Sequence, residues 1–417
     1  MNRLRRPLMA HARLGAAAGA CLVVLACGGS GSGNDAAPTD PPSTGLSPGP
    51  TAGPSAGTPP AAPPPAAAPD PVAPVGVKAL EIVSGLSSPW SLAFLPDGSM
   101  LVTERTGTLR RITAAGAVSA PLAGMPAVAD VGQGGLLDVV LSPGFAADRT
   151  IFFTYSEPVA GGQSRTAVAR AELGETGVTN LSTIYRQTPA RPGSIHYGSR
   201  LVFDRAGHLY VTMGDRGEGA AAQDLATTQG KVVRILPNGA IPTDNPVFGQ
   251  PGALPGIWSY GHRNPQGATL NPVTGELWLS EHGPRGGDEI NRVLPGRNYG
   301  WPRITYGRDY NTGAPLGEGT TAPDVEPPVH YWVPTSVAPA GMVFYTGDKL
   351  PGWQGSLLVG TLAGEMLAKL TLQGDAVTGE TRHLQSSDQR IRDIRQGPDG
   401  YPYLLTDSGR LMRVVPQ

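Results

Sequence analysis

Between residues 91 and 415 one pattern recurs six times: a short apolar strand, a turn built on Pro, Asp or Gly, then a second strand rich in β-branched and aromatic residues. The copies read SLAFLPDGSMLVTERTGTLRRI (91–112), LLDVVLSPGFAADRTIFFTYSE (136–157), SRLVFDRAGHLYVTMGD (199–215) and GATLNPVTGELWLSEHG (267–283). AGMVFYTGDKLPGWQGSLLVGTLAG (340–364) and RDIRQGPDGYPYLLTDSGRLMRVV (392–415) complete the series. Alternation and turn chemistry make each a hairpin. Long amphipathic helical patterns are absent. Six hairpins spaced roughly 45 to 70 residues apart argue for radial repetition, so the expected fold is an all-β six-bladed β-propeller over residues 76–417. A pair of β-sandwiches is the competing architecture, but it has no need of the same hairpin six times. In a propeller the inner strands converge on an axial channel and the inter-blade loops gather at one face, where a ligand should sit.

The N-terminal part does not share this pattern. Arg3, Arg5 and Arg6 precede LGAAAGACLVVLA, an apolar run from Leu14 to Ala26. That run suits a signal peptide and is too short to span a bilayer as a helix. VLAC followed by Gly28 and Gly29 resembles a bacterial lipobox, which would make Cys27 the lipidated first mature residue; ordinary secretion with cleavage elsewhere is the alternative. Residues 1–27 therefore read as a signal peptide, and 28–75, dominated by Pro, Gly, Ala and Ser, as a disordered tether. The expected location is the periplasm, with the anchor on Cys27 as the membrane attachment. Both cysteines, Cys21 and Cys27, precede the folded body, which leaves it without a disulfide. With 32 Lys and Arg against 33 Asp and Glu and no basic stripe, the chain lacks the electrostatic footprint of a nucleic-acid binder.

Four loops carry more polar chemistry than a turn requires. DVGQGGLLDVV places Gln133 before a strand, PGSIHYGSRLVF does the same for His196, GHRNPQG (261–267) precedes the fourth hairpin, and DQRIRDIRQGPDG precedes the sixth. Each lies upstream of a blade's first strand, so all would meet at one end of the channel. Arg263, Arg390 and Arg392 bring three positive charges there, and arginine forks match planar carboxylates. Gln133 and Asn264 add neutral hydrogen bonds, while His196 can act as a base near neutral pH. A flat, carbonyl-rich polyanion fits that rim. Alternatively, the arginines are ion-pair partners of Asp388, Asp393 and Asp399. SEHGPRGGDEINRVLPGRNYGWP (280–302) forces tight turns, with the Asp288 and Glu289 carboxylates nearby. Such oxygen-rich loops suit Ca²⁺, and an acidic turn opening a helix is the competing reading. His196, His262, His282, His330 and His383 show no HxH or HxxxH spacing, which disfavours zinc. GDRGEG (214–219) lacks the strand-to-helix setting of a nicotinamide site.

GQGGLLDVVLSPGF, IHYGSRLVFDRAGHLYVTMGDRG, GKVVRILPNGAIPTDNP, GHRNPQG, EHGPRGGDEIN, NYGWP, SVAPAGMVFY and QRIRDIRQGPDG occur in order between about Leu80 and Val415. Together they resemble the soluble sugar dehydrogenases that use pyrroloquinoline quinone (PQQ), the periplasmic aldose-oxidising branch above all. The resemblance implies a six-bladed propeller holding PQQ, a flat tricarboxylic orthoquinone, with Ca²⁺ on its top face. By position, His196 is implied as the general base that takes the proton of an aldose C1 hydroxyl. A hydride then passes from C1 to the quinone C5, giving a lactone, and electrons leave to an external acceptor, a quinone or a redox protein. Gln133 is implied as a partner in the same pocket, and Arg263, Asn264, Ser336, Arg390 and Arg392 as cofactor ligands. The Gly283 and Pro284 carbonyls are implied as ligands of the catalytic calcium. Glu289 and the Tyr299 carbonyl are implied for a second calcium, with Asp309 and Glu326 as further contributors. One departure is Ala363, which stands where the glucose-oxidising branch has a cofactor-contacting lysine. The loops of the fourth and fifth blades are also short, from which broad aldose specificity is expected. A calcium-dependent lactonase would want carboxylate ligands around an axial metal rather than a basic rim. A non-catalytic binding propeller would not need His196, Gln133 and the arginines together.

Overall fold

The computed structural model describes residues 74–417. The signal-peptide reading of residues 1–27, the lipidation of Cys27 and nearly all of the 28–75 tether lie outside the described residues. The tether's expected end at residue 75 does fall inside them. There the Val75 N–H already donates to the Pro351 carbonyl at 3.1 Å, and Trp353 Nε1 donates to the Val75 carbonyl at 3.0 Å, so the chain joins the body one residue early.

Among the described residues, strands form six antiparallel sheets around a ring, the six blades expected from the hairpin repeats. Blade 1 has three strands, Pro89–Phe94, Met100–Glu104 and Thr108–Ile112. Blades 2 to 5 have four each, and their innermost strands are Leu136–Leu141, Gly198–Phe203, Pro265–Leu270 and Pro339–Phe344. Blade 6 takes Ile391–Gln396, Pro402–Thr406 and Leu411–Pro416 from the C-terminus and borrows Val77–Val83 from the N-terminal side as its outer strand. That strand runs antiparallel, pairing Val77 with Pro416 and Leu80 with Arg413. It thereby covers the unpaired edge that the C-terminal strand would otherwise present.

The apolar residues divide into six main clusters, one between each pair of neighbouring blades, and the last joins Leu405 and Leu411 of blade 6 to Leu92 and Val102 of blade 1. Each blade therefore buries both faces, which explains why five of the second strands are buried throughout and the remaining one, Thr150–Val159, is buried from Ile151 to Ser156. No long helix interrupts this pattern, and among the described residues no helix is long and apolar enough to cross a membrane.

Polar side chains meet on the axis instead. Asp138, Arg200, Asp393 and Arg395 form a closed network from blades 2, 3 and 6. Asp138 Oδ1 lies 3.1 Å from Arg200 and 2.9 Å from Arg395, and it accepts from Ser91 Oγ at 2.5 Å. Arg200 also lies over the Trp90 ring at 4.2 Å. Blade 5 contributes Gly341 here, because a Cβ at that position would come within 2.2 Å of Asp393 Oδ1.

Candidate active site

All six innermost strands break register near their first residues, as at Pro89/Ser91, Pro265/Gly267 and Ile391/Asp393. Such irregularities re-aim side chains at the end of a sheet. The loops feeding these starts carry the residues singled out in the sequence. A cavity of about 730 Å³ brings together Gln133, His196, Arg263, Gly283, Ser336 and Ala363. An adjoining cavity of about 230 Å³ shares Gln133, His282 and Ala338 with it and is lined by Arg390 and Arg392.

His196 is buried, with backbone φ of +55° in the left-handed region that side-chain-bearing residues avoid. Two contacts hold it there: its N–H donates to Gln133 Oε1 at 2.8 Å, and its carbonyl accepts the Arg216 N–H at 3.3 Å. Nδ1 lies 2.7 Å from Asp215 Oδ1, and the other Asp215 oxygen accepts Trp301 Nε1 at 2.7 Å. Burial is the largest influence on the imidazole and pushes its pKa below the ordinary value, with the Arg263 charge adding to this. The hydrogen bond to Asp215 acts in the opposite direction. Sequence reasoning missed both Asp215 and Trp301. The available signal was a carboxylate just past Leu209–Met213, the second strand after His196, within a GDRGEG stretch that lacks a nicotinamide site's setting.

Asn264 Oδ1 accepts the Gly198 N–H at 3.1 Å, while its Nδ2 has no partner. Arg263 Nη1 donates to the His282 carbonyl at 3.0 Å and the Gly283 carbonyl at 2.7 Å, its Nε is unpartnered, and its guanidinium lies 5.2 Å from the Trp301 ring. Ser336 Oγ donates to the Pro284 carbonyl at 3.0 Å. The Gly283 and Pro284 carbonyls each keep a second lone pair. His262 points elsewhere: it is fully buried between Glu281 and Ser259 and stacked on Tyr299. Through Glu281, whose other oxygen accepts the Arg263 N–H at 2.8 Å, it steadies the loop from behind.

The acidic stretch opens a strand, Asp288–Val293, rather than a helix. Asp288 is consumed by backbone donors, accepting from Gly283, Val337 and Ala338 at 2.7–2.9 Å, which ties the fourth- and fifth-blade loops together. Glu289 and Tyr299 lie apart from His196, around a hole of about 10 Å³ shared with Glu281. That volume is of the order that one water needs. Burial and the neighbouring Glu281 push Glu289 well above the usual carboxylate range. Glu326 borders the next cavity along. Asp309 does not approach: its Oδ1 closes a turn onto Asn311 and Thr312.

The expected ion-pair alternatives for the late arginines are not the ones formed. Asp393 belongs to the axial network and Asp399 contacts Arg413, whereas Arg390 and Arg392 share Asp407 at 3.0 and 2.9 Å.

Known proteins with similar sequences and folds share this architecture. Aldose sugar dehydrogenase YliI of Escherichia coli K12 is 47% identical over 351 residues, covering 83% of this chain and 94% of the relative. The apo crystal structure of the soluble aldose sugar dehydrogenase from Escherichia coli superimposes with a TM-score of 0.79 at 46% identity, covering 82% of this chain and all of that one. The PQQ-bound aldose sugar dehydrogenase of Streptomyces coelicolor gives 0.69 at 28% identity, covering 83% of this chain and 100% of that one. Residues 86–413 match the family described as Glucose / Sorbosone dehydrogenase, and the chain belongs to that family.

Proposed function

We propose that this protein is a quinoprotein dehydrogenase that oxidises the C1 hydroxyl of aldoses to lactones, with PQQ as cofactor, and hands the electrons to an external quinone or redox protein. The observation that carries this reading is the buried His196–Asp215 pair opening into a cavity lined by arginine. Three features support the fit of a tricarboxylate there. Arg263 Nε and Asn264 Nδ2 are buried without partners, and the adjoining cavity carries more arginine than carboxylate. Arg263, Asn264, Ser336, Arg390 and Arg392 would hold the cofactor, which supplies the hydride acceptor when bound.

The chain's own part is proton handling and positioning. Asp215 accepts the His196 Nδ1–H, fixing the tautomer that leaves Nε2 as the basic nitrogen. Because burial lowers the His196 pKa, the imidazole is neutral and ready to accept the C1 hydroxyl proton at neutral pH. Asp215 then stabilises the imidazolium that forms, and Trp301 holds Asp215. Gln133 fixes the backbone from which His196 projects.

The free lone pairs of the Gly283 and Pro284 carbonyls support a calcium beside the cofactor, as Lewis acid and template. The small hole between Glu281, Glu289 and the Tyr299 segment supports a second, structural calcium, where buried Glu281 and half-buried Glu289 crowd together without a Lys or Arg ion pair among the described residues. The N-terminal sequence supports export to the periplasm.

Purified protein given PQQ, Ca²⁺ and glucose is expected to reduce an artificial dye acceptor. Absence of dye reduction with every member of an aldose panel would sink the reading. Gly214→Ala supplies a local check. A Cβ there would sit 2.0 Å from the His196 carbonyl oxygen, so the His196 loop must shift, and a misplacement of that order costs about a hundredfold in turnover. An alanine variant with wild-type turnover would show that the His196 backbone geometry is unimportant.

A further inference from the structure

The smaller cavity has an unbalanced charge. Arg105, from the end of blade 1's second strand, lines it together with Arg390 and Arg392. One carboxylate serves this cluster. Asp407 accepts from Arg390 Nε at 3.0 Å and from Arg392 Nε at 2.9 Å. Arg105 has no acidic partner among the described residues. Three arginines against one aspartate leave two positive charges uncompensated.

Each guanidinium is nonetheless fixed by a neutral acceptor. Arg105 Nη1 donates to the Gly132 carbonyl at 2.5 Å, Arg390 Nη1 to the Leu362 carbonyl at 3.1 Å, and Arg392 Nη1 to Gln266 Oε1 at 2.7 Å. Holding like charges together around a cavity costs free energy unless an anion enters. Burial above all presses the Arg392 pKa downwards, with the Arg105 and Arg200 charges adding to it against the opposing pull of Asp407. A cavity of about 230 Å³ that opens beside the large one through Gln133, His282 and Ala338 suits one end of a ligand lying across both. Pre-positioned forks of this kind select carboxylates.

We propose that Arg105 is a further cofactor-binding residue, forming with Arg390 and Arg392 a pocket that receives one carboxylate of the quinone. This rests on the quinoprotein reading above. The ligand then bridges blades 1 and 6, across the seam where the ring closes. Arg105 also ties the Gly132 carbonyl, next to Gln133, to the same anion.

The test titrates PQQ into the protein with Ca²⁺ present and follows quenching of tryptophan fluorescence, comparing wild type, Arg105→Gln and Arg105→Lys. Arg105→Gln is expected to raise the PQQ Kd about tenfold or more. Arg105→Lys should recover part of that loss, because it keeps the charge. A Kd within twofold of wild type for a folded Arg105→Gln protein overturns the proposal. Equal weakening by both substitutions also overturns it, since it assigns the loss to the Gly132 contact. A wild-type protein that binds no PQQ fails at an earlier point and removes the cofactor reading itself.

Discussion

Replacing His196 with alanine is expected to lower kcat about 10²- to 10⁴-fold, the usual contribution of a positioned general base, while PQQ binding measured by fluorescence stays near wild type. The split follows from geometry: the cofactor-binding groups come from Arg263, Asn264 and the sixth-blade loop, whereas His196 hangs from the third blade. Normal turnover in His196→Ala would remove it as the base. The pH dependence gives a second readout. Burial holds the imidazole below its ordinary value of 6.5. The acid limb of kcat/KM should therefore lie below pH 6.5, with activity lost as pH falls through the His196 pKa. Asp215 raises that pKa, both as hydrogen-bond partner and as charge. Asp215→Asn should then move the limb to still lower pH, besides slowing turnover by loosening the tautomer. A limb that moved upwards would contradict the assigned pairing.

Asp138→Ala should destabilise the folded body by about 3–5 kcal/mol, the cost of leaving buried charge uncompensated. Asp138 is fully buried and neutralises two guanidiniums, those of Arg200 and Arg395, while accepting the Leu201 N–H at 2.7 Å. Its loss leaves the axis with two arginines against Asp393 alone. For a body of this size the melting temperature should fall by roughly 4–7 °C, read by calorimetry or circular dichroism. Asp138→Asn should cost less, because it keeps the side-chain volume and one acceptor oxygen, although its NH2 must then face a former donor. A melting temperature within a degree of wild type for the alanine variant would mean the axial network adds nothing to stability.

The six hairpins were legible because strand alternation and turn residues are local properties. The rim was legible for a related reason: polar loops placed before the first strand of successive blades must meet once the blades are radial. Ser336, Gly283 and Pro284 came through resemblance, since a backbone carbonyl leaves little mark of its own in a sequence. The strand Val77–Val83 escaped the repeat count because it carries no hairpin partner nearby; its partner lies more than 300 residues away. Asp407 was missed in the same way. Several nearer aspartates competed for Arg390 and Arg392, and the pairing depends on which of them the second strand of blade 6 carries to the rim.

GHRNPQG illustrates the division within a single loop. Its glycines and Pro265 announced a fixed turn, but nothing local distinguishes a histidine buried behind the loop from an arginine at the cavity. Packing made that choice, stacking His262 on Tyr299 and sending Arg263 towards Gly283.

The sequence by itself determined the repeat number, the all-β class and the face at which the polar loops gather, because these follow from short-range periodicity and turn chemistry. Only the tertiary structure decided that Asp215 and Trp301 orient His196, that Asp407 is the counter-charge of the late arginines, and that Arg105 stands beside them. Those relations join residues 15 to 287 positions apart in the chain, and distances of that kind are set by how blades pack around the axis rather than by any local pattern.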